Sequence, residues 1–465
     1  MDNRAYEKRV EIHWGASDGT WRILPAHFAR AAGENREVWD AEAYFFSPHE
    51  LPGDVTFAIH CAMAGADYWD SNDQENFLIK ADSGVLVPDE FPLLAIKMRP
   101  LLRELDAFLP VTVAVHQSIL PKKVFVRWSH DHWRTTHTSE CYFWRHHWEK
   151  NHASNALNPN EYGTSIWVTH LPVNQAFRIE YAIGCETPEL TIWDNNAGAN
   201  HVARHDRLKV LTLNLHCYQE ENQDAKLSTI ARAINDLDID FVCLQEVAEP
   251  WEGGTRAHEV NTAKLIRERL NHYYHLVSDW SHRGFGVYRE GCAILSRHEV
   301  VAGDSGYISS NRDVNSINAR KIVMAQINVP FIGLINVYSA HLSWWKDGFR
   351  EQFENLRTWA NEKHSRNIAA TLLLGDFNAK TGSEGYLLAT GNNEFEDQFL
   401  KAQQAVSGAA SSASPTEVPN DGRIDFIFLK KTSALEVKAS RALFTETDYG
   451  RVSDHEGYYA EFEPV

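Results

Sequence analysis

The sequence predicts an α/β domain at residues 206–465 and two small all-β sandwich domains before it. Within 206–465, short apolar runs alternate with segments whose apolar residues recur at helical spacing, as is typical of α/β domains. The first 205 residues instead contain an internal repeat of β-like segments. A chain of 465 residues is also long for a single hydrophobic core, so we expect several domains.

The first 205 residues repeat a Trp-Asp element together with the strand-like segments near it. The sequence WDSN at 69–72 recurs 124 residues later as WDNN at 193–196. Upstream, VEIHWGASDGTW at 10–21 recurs as VFVRWSHDHW at 124–133. The segments before each Trp-Asp element are rich in β-branched and aromatic residues, which favours strands. Each copy therefore predicts a β-sandwich of about 80–100 residues.

These repeats define the expected domain boundaries. We expect one β-sandwich at 1–87, a linker at 88–110 and a second β-sandwich at 111–204, followed by the α/β domain at 206–465. The linker is rich in proline, and part of it predicts a short helix interrupted at Pro100.

The α/β domain shows its elements most clearly in two places. The apolar run 208–215 predicts a strand, the helical pattern at 226–237 follows it, and 241–244 predicts the next strand. A second amphipathic helix is expected at 349–360, just before another apolar run.

Net charge bears on whether the protein binds nucleic acid, and cysteine content bears on its cellular compartment. The net charge is −18, and residues 206–465 carry 27 Lys and Arg against 36 Asp and Glu. A nonspecific DNA-binding protein normally presents positive surface, so the balance disfavours a nucleic-acid partner but leaves a local basic patch open. Six scattered cysteines without a CxxC motif favour free thiols in a reducing compartment. With no signal-peptide pattern and no apolar run of transmembrane length, a cytoplasmic protein is expected.

Polar side chains stand at or near the ends of six apolar runs in 206–465. In LLLGDFN at 372–378, three leucines lead into Gly375, which allows a turn that a side chain would obstruct. Strand ends that converge on one mouth commonly build a site in sheet-based enzymes. The residues at these ends are Asn214, Glu246, His341, Asp376, Asn378, Asp425, Asp454 and His455.

Residues 206–465 resemble the endonuclease/exonuclease/phosphatase superfamily, which includes DNase I-like nucleases and neutral sphingomyelinases. The motifs that carry the resemblance are LNLH, LQEV, GCAILSR, SAHL, GDFN, RIDFIF and SDH, in the family's order. The resemblance implies a four-layer sandwich, in which two packed β-sheets are flanked by helices. It also implies hydrolysis of a phosphoester with a divalent ion, Mg²⁺ first and Mn²⁺ or Ca²⁺ as alternatives.

The resemblance also implies roles for the strand-end residues. Glu246 is the expected metal ligand, with Asn214 beside it, and Asp454 either binds metal or supports the site. His455 is expected to act as general base or as phosphate contact, and Asp425 would orient its imidazole. Asp376 and Asn378 would position the attacking water or the phosphate. His341 would donate a hydrogen bond to a phosphoryl oxygen.

Several alternatives stay open from the sequence. Asp425 could pair with Arg423 instead of His455, and Arg320 could be a buried structural residue rather than a phosphate clamp. Which acid binds metal and which orients His455 is also open.

The second repeat resembles the family-21 starch-binding module through LPKKVFVRWSHDHW and WDNNAGANH. The resemblance implies that Trp133 stacks on a glucan and that Trp193, Asn195 and Asn200 belong to the other binding or turn element. The sequence departs from the module at His201, where the family usually has Tyr. The first repeat departs further, so we expect a structural relative there; in both copies the Trp residues could instead serve only as core and turn residues.

The sequence therefore predicts a Mg²⁺-dependent phosphodiesterase or phosphoesterase that its N-terminal modules bring to an α-glucan. The SAHL motif around His341 resembles the DNase I and sphingomyelinase branches, and the PxWxDR-type element of inositol phosphatases is replaced by NDGRIDF. The alternatives are a DNase-like endonuclease or exonuclease and a glycan-binding adaptor with a silent catalytic domain. The phosphoester substrate and the oligomeric state are not specified by the sequence.

Overall fold

The chain divides into two compact units, Met1–His205 and Asp206–Val465. The computed structural model describes residues 1, 8–16, 19–31, 36–41, 43, 54–63, 65–79, 87, 91–96, 100–146, 163–173, 176–251, 260–407 and 422–465. Among the described residues, no helix is both long enough and apolar enough to cross a bilayer.

The N-terminal part of the first unit is a small β-structure. Its strands are β1 (Lys8–Gly15), β2 (Trp21–Pro25), β3 (His27–Ala31), β4 (Glu37–Asp40), β5 (Val55–Met63), β6 (Ala66–Asp70) and β7 (Phe77–Ile79). One sheet has the order β2-β1-β5-β6, with β7 also paired to β5, and β3 pairs with β4. Val10, Cys61 and Met63 pack together in its buried core.

The second part of this unit repeats the same sheet. Its strands are β8 (Leu93–Ile96), β9 (Phe108–Val115), β10 (Lys123–Ser129), β11 (His137–Glu140), β12 (Tyr142–His146), β13 (Ser165–Pro172), β14 (Arg178–Glu186), β15 (Thr191–Asp194) and β16 (His201–Arg204), and a short 3₁₀ turn spans Asn196–Gly198. The order β11-β10-β14-β15, with β16 also paired to β14, matches the first sheet strand for strand. A four-stranded sheet, β12-β13-β9-β8, covers its buried core.

The structure corrects the linker predicted at 88–110. Leu93–Ile96 forms strand β8 and pairs with β9, and β9 itself begins at Phe108, so both belong to the second sandwich. The helix predicted here does not form where the structure describes this segment, because alternate leucine and alanine side chains, Leu93 and Ala95, enter the sandwich core.

The described residues of the second unit form two six-stranded sheets. Its strands are β17 (Leu208–Asn214), β18 (Phe241–Pro250), β19 (His275–Gly284), β20 (Tyr288–Ser296), β21 (Glu299–Tyr307), β22 (Lys321–Val329), β23 (Gly333–His341), β24 (Ile368–Asp376), β25 (Phe395–Asp397), β26 (Asp425–Lys430), β27 (Leu435–Leu443) and β28 (Gly457–Pro464). The orders are β19-β20-β18-β17-β28-β27 and β21-β22-β23-β24-β26-β25. The helices are α1 (Gln223–Leu237), α2 (Thr262–Arg267), α3 (Phe349–Lys363), α4 (Glu384–Thr390) and α5 (Gln398–Ser407), with a 3₁₀ turn at Trp345–Asp347.

The packing of this unit confirms the four-layer sandwich. Val210 of the first sheet and Leu372 of the second lie in one buried core between the sheets. Leu227 of α1 packs in a second core on the outer face of the first sheet, and Phe353 of α3 packs in a third on the outer face of the second. The apolar stripes of both helices therefore face the sheets that they cover.

Candidate active site

Strand register brings the predicted site residues to one edge of the two sheets. In the second sheet His341 is the parallel partner of Asp376, and Asp376 is the antiparallel partner of Asp425. In the first sheet β17 ends at Asn214, which pairs with Gln245. The strand ends therefore deliver polar side chains from both sheets, as the alternation of apolar runs and polar ends predicts.

The backbone departs from regular strand geometry at this edge. The β18–β20 pairing shifts register between Leu244 and Val247, and Glu246 within that shift has φ +50°. Asn378 also lies in the left-handed region, with φ +48°. Asn adopts this conformation readily, but for Glu it costs of order 1–2 kcal/mol, so the surrounding structure must hold Glu246 there.

Gly375 is required for close approach of two strands. Its φ is +146°, and a Cβ at this position would lie 1.9 Å from the carbonyl oxygen of Ala340 on the neighbouring strand. Any other residue would therefore push β24 away from β23, immediately before Asp376. Glycine is therefore required here for a close approach between two strands, and not for the turn that the sequence predicts, because Gly375 lies within β24.

Asn214 joins the acids of the two sheets. Its Nδ2 donates to Oε1 of Glu246 at 3.0 Å and to Oδ2 of Asp376 at 3.1 Å, while its Oδ1 accepts from the backbone N–H of His216 at 3.0 Å. The side chain is fully buried. Asn214 thus fixes the relative positions of two carboxylates that would otherwise repel each other.

The two carboxyl groups beside Asn214 are destabilised as anions. Burial, and then the charge of Asp425, raises the pKa of Asp376 to about 7. Burial raises the pKa of Glu246 as well, assisted by the charges of Glu290 and Asp376. Perturbed acids of this kind concentrate at functional sites, because a buried like-charge cluster costs stability unless a cation or a reaction uses it.

His455 and Asp425 form a buried pair. Nδ1 of His455 lies 2.7 Å from Oδ2 of Asp425, and its Nε2 lies 3.9 Å from Oδ2 of Asp376. Burial disfavours the imidazolium, but the hydrogen bond and charge of Asp425 outweigh it and raise the pKa of His455 to about 9. Arg423 forms a two-pronged ion pair with Asp397. The structure therefore favours His455 over Arg423 as the partner of Asp425.

His341 is held as a neutral imidazole by a buried arginine. Nη1 of Arg320 lies 3.0 Å from Nδ1 of His341. Because Arg can only donate, Nδ1 accepts and Nε2 carries the proton. Nε2 lies 3.4 Å from Oδ2 of Asp376 and 3.3 Å from Nδ2 of Asn378. Burial and the adjacent Arg320 together keep the pKa of His341 well below its ordinary value.

The polar groups of Asn378 form hydrogen bonds that fix the geometry of the site. Its backbone N–H donates to Oδ1 of Asp376 at 2.8 Å, and its Nδ2 donates to the carbonyl oxygen of Leu342 at 2.9 Å. The residue thereby locks the carboxylate of Asp376 and ties the turn after β24 to the chain after β23.

Asp454 lies at the rim, away from the two expected metal ligands. Its side chain is 56% exposed, and Oδ1 lies 3.5 Å from Nδ1 of His216 and 4.0 Å from Nε2 of His455. His216 in turn bonds Glu220 at 2.7 Å. Among the described contacts, Asp454 therefore joins a His-acid group at the entrance rather than Glu246 and Asn214.

Sequence reasoning assigned no role to several residues of this site. Oε1 of Glu290 lies 3.2 Å from Nε2 of the buried His282, and the charge of Glu290 raises the pKa of Glu246. A ligand oxygen of Glu290 also lies within 4.8 Å of one on Glu246 and a ring nitrogen of His341. The only sequence signal for Glu290 was its position directly before GCAILSR.

An open cavity of about 540 Å³ borders the His455–Asp425 pair. Asn378 and Asp454 line it, together with the exposed aromatic side chain of Trp344 and the cation of Arg451. The cavity is thus lined by polar side chains that include the candidate site residues, and its volume has room for a phosphoester.

The donor set fits a hard divalent cation. Glu246, Glu290 and Asp376 crowd negative charge into a buried space, and Oδ1 of Asp425 is buried without a hydrogen-bond partner in the described part of the chain. Oxygen ligands of this kind suit Mg²⁺, and a cation would offset the repulsion that raises these pKa values.

In the second sandwich, Trp133 is half-buried and tied into its turn. It has φ +65°, and its indole Nε1 donates to Oε2 of Glu180 at 2.7 Å. Its backbone N–H donates to the hydroxyl of Ser129 at 2.9 Å. The indole therefore has a fixed orientation.

Trp193 is 40% exposed, and the guanidinium of Arg127 lies 5.0 Å from its ring centroid. The following turn serves backbone geometry: Oδ1 of Asn195 accepts from the N–H of Gly198 at 3.0 Å, and Asn200 adopts φ +60°. Asn195 and Asn200 thus form the turn, which is one of the two roles, sugar binding or turn formation, that the sequence predicts for them.

The same turn is built twice. Nδ2 of Asn196 donates to the carbonyl of Asn200 at 3.1 Å, and in the first repeat Nδ2 of Asn72 donates to the carbonyl of Asn76 at 3.2 Å. The repeat in the sequence is therefore a repeat in structure, down to single hydrogen bonds.

Two family models match the chain. The model described as "Endonuclease/Exonuclease/phosphatase family" matches residues 211–455, and that of "Carbohydrate/starch-binding module (family 21)" matches residues 101–204. No curated protein matches.

Three solved structures that are similar to this chain are described by sequence identity, coverage and TM-score. An endonuclease/exonuclease/phosphatase family protein from Leptotrichia buccalis is 29% identical, with 55% of this chain and 99% of that chain covered and a TM-score of 0.46. A mannosyl-6-phosphatase from Bacteroides thetaiotaomicron is 18% identical, with 55% and 99% covered and a TM-score of 0.40. The human Nocturnin catalytic domain with bound sulfate is 18% identical, with 56% and 95% covered and a TM-score of 0.42.

Proposed function

Because the chain belongs to the endonuclease/exonuclease/phosphatase family of phosphoric ester hydrolases, we propose that it is a Mg²⁺-dependent phosphodiesterase carried to an α-glucan by its second β-sandwich. The observation that carries the catalytic part is the meeting of Glu246, Asp376 and the His455–Asp425 pair at one edge of the two sheets, linked by Asn214.

In this proposal Glu246 and Asn214 hold the metal ion. Enzymes of this family generally depend on a divalent ion, and the buried oxygen donors support that here. The ion, when bound, supplies positive charge to the phosphoryl and leaving oxygens. Asp454, at the rim, supports His216 and His455 instead of binding the ion directly. Mn²⁺ or Ca²⁺ are the alternatives to test.

His455 acts as a cationic phosphate contact. Its pKa of about 9 keeps the imidazole protonated at neutral pH, which favours this role over that of general base. Asp425 maintains both the charge and the orientation of the ring through the hydrogen bond to Nδ1. The proton on Nε2 is then available to a phosphoryl oxygen in the adjoining cavity.

Asp376 orients the attacking water and accepts its proton. A pKa near 7 suits an acceptor that works at neutral pH. Asn378 fixes one carboxylate oxygen through its backbone N–H, and Nε2 of His341 lies 3.4 Å from the other. His341 thus acts on Asp376, and we propose that it also donates to a phosphoryl oxygen when substrate is bound.

The second β-sandwich supplies the glucan contact. The family-21 match at 101–204 supports this, as does the exposed ring of Trp193. We propose that Trp193 and Trp133 contact sugar rings and that Asn195 and Asn200 form the turn that presents Trp193. We also propose a reducing, cytoplasmic location, because all six cysteines are buried and none forms a disulfide.

A substrate panel tests the proposal most directly. Purified protein would be assayed on phosphodiesters, phosphomonoesters and DNA, with Mg²⁺ and with EDTA, beside the variant Glu246→Gln as a matched control of similar shape. We expect phosphodiester hydrolysis that EDTA and Glu246→Gln both abolish. Hydrolysis of DNA alone would support the nuclease alternative, and no hydrolysis of any phosphoester would support a silent adaptor.

A further inference from the structure

We propose that the first β-sandwich carries a divalent-metal site of the zinc type, formed by Glu11, His13 and His60. The three ligand atoms lie within 4.8 Å of one another: one oxygen of Glu11 and one ring nitrogen from each histidine. The cluster lies in the first unit of the chain and shares no residue with the active site described above.

Strand geometry puts these side chains on one face of one sheet. Glu11 and His13 are two apart on β1, so they point the same way, and Glu11 is paired directly with His60 on β5. The opposite face carries Val10 and Cys61, which form the buried core. The cluster therefore occupies a defined position in the β-ladder.

The distances suit a tetrahedral ion. Two ligands each about 2.05 Å from a tetrahedral Zn²⁺ lie about 3.3 Å apart. Nδ1 of His60 lies 3.2 Å from Oε2 of Glu11, and Nε2 of His13 lies 3.6 Å from the same oxygen. Nε2 of His13 is buried without a hydrogen-bond partner among the described residues, which a metal bond would remedy. The other oxygen of Glu11 faces Arg9.

His60 has the outer partner that metal-binding histidines usually have. Its second ring nitrogen, Nε2, lies 2.9 Å from Oδ1 of Asp67. A carboxylate in this position fixes the tautomer, since Nε2 then carries the proton. The lone pair of Nδ1, which lies 3.2 Å from Oε2 of Glu11, is then the donor to a metal shared with that oxygen. The ring of Trp69 stacks on His60 at a centroid distance of 4.5 Å and holds its plane.

The second repeat provides an internal comparison. Its register pairs Phe125 with Gly184 where the first repeat pairs Glu11 with His60, and Gly184 with Trp193 where His60 pairs with Trp69. The position of His13 is taken by Arg127, whose guanidinium lies over Trp193. The face that carries the proposed sugar contact in one copy thus carries imidazole and carboxylate in the other.

Zinc binding to the full chain would test the proposal. EDTA-treated protein would be dialysed against Zn²⁺ held at nanomolar free concentration by a chelator, and bound zinc counted for wild type, His13→Arg and Glu11→Gln. His13→Arg introduces the residue type that the second repeat has at the equivalent position, Arg127. Glu11→Gln keeps the side-chain shape of Glu11 and removes its charge. We expect each variant to bind one ion fewer than wild type, and His27→Asn, an exposed histidine of the same module, to match wild type.

Two further measurements separate the site from other causes. Co²⁺ substituted into wild type should give the intense visible absorption of tetrahedral cobalt, lost in His13→Arg, whereas Asp67→Asn should keep the stoichiometry and weaken zinc affinity about 10–100-fold. Mg²⁺-dependent hydrolysis and thermal melting of the variants would show that the chain is folded. Equal zinc counts in wild type and both ligand variants, or an extra ion lost only in Glu246→Gln, would overturn the proposal.

Discussion

His455 contacts Asp425 through Nδ1 at 2.7 Å, while the second oxygen of the same carboxylate is buried with no hydrogen-bond partner in the described part of the chain. The pair is asymmetric: Oδ2 of Asp425 holds the imidazolium, while Oδ1 makes no hydrogen bond among the described residues. This arrangement makes the charge of His455 depend mainly on a single hydrogen bond.

Asp425→Asn should therefore change the pH dependence of the enzyme as well as its rate. Without the carboxylate, the pKa of His455 should fall from about 9 toward its ordinary value or below it. If the cationic form contacts phosphate, activity is lost as pH rises through this pKa, so the alkaline limb of the kcat/KM profile should move to lower pH. A profile that keeps its alkaline limb in Asp425→Asn would contradict the assigned role.

His455→Ala and Asp376→Asn should each reduce kcat by about 10²–10⁴-fold. KM should change little in Asp376→Asn, because Asp376 takes a proton only in the transition state, and should also rise in His455→Ala, because the phosphate that His455 contacts is already charged in the bound substrate. Asp454→Asn is the matched control: it is mostly exposed and belongs to the rim, so we expect less than a ten-fold loss. Kinetics and melting temperatures would be measured together. Near-normal kcat with a lowered melting point would assign His455 and Asp376 to stability only.

Glu246→Gln should abolish the response to Mg²⁺ while leaving the metal-free protein at least as stable as wild type. The substitution removes one charge from the buried acids and keeps the side-chain shape and the bond that Asn214 donates. Melting with and without Mg²⁺ checks this: wild type should gain stability from Mg²⁺ by mass action and the variant should gain little. An equal gain in both proteins would exclude Glu246 as a ligand.

The pH dependence of the stability of the metal-free protein should reveal the raised pKa of the buried Asp376. The folded-state pKa of Asp376 is about 7, well above the value of about 4 for an exposed Asp. Folded protein then holds a proton that the unfolded chain has released, so this residue's contribution to the free energy of unfolding falls as pH rises from about 4 to 7. The difference in melting temperature, Asp376→Asn minus wild type, should therefore grow with pH in EDTA and shrink in Mg²⁺. A pH-independent difference would contradict the raised pKa.

The sequence predicts the strand-end residues because each lies at or near the end of an apolar run that forms a buried strand. Parallel pairing then brings His341 beside Asp376, and antiparallel pairing brings Asp425 beside Asp376. Arg320 directly precedes β22 and Glu290 lies near the start of β20. Both are harder to assign because the sequence pattern at these positions does not distinguish a site residue from a structural one. Their roles depend on which side chains meet across the two sheets, at His341 and Glu246.

The strand at Leu93–Ile96 shows that local sequence alone does not always predict secondary structure. Its local sequence is short and lies between prolines, which is compatible with a linker or a helix turn. It becomes a strand only because β9, 12 or more residues later, offers an open edge and the sandwich core accepts Leu93 and Ala95. Pairing partners distant in sequence override local preference in such cases.

Glucan binding should depend on Trp193 and not on its repeat counterpart Trp69. Trp193 lies on the sheet face beside Arg127, whereas the ring of Trp69 stacks on His60 in the proposed metal cluster. Removing one aromatic stacking contact costs about 1 kcal/mol, so Trp193→Ala should weaken binding of the full chain about five-fold and Trp69→Ala should leave it unchanged. Co-sedimentation with insoluble starch at several protein concentrations gives both affinities, and thermal melting checks the fold. Equal losses in the two variants would point to a shared structural role for the Trp-Asp elements, and no retention of wild type on starch would refute the glucan contact itself.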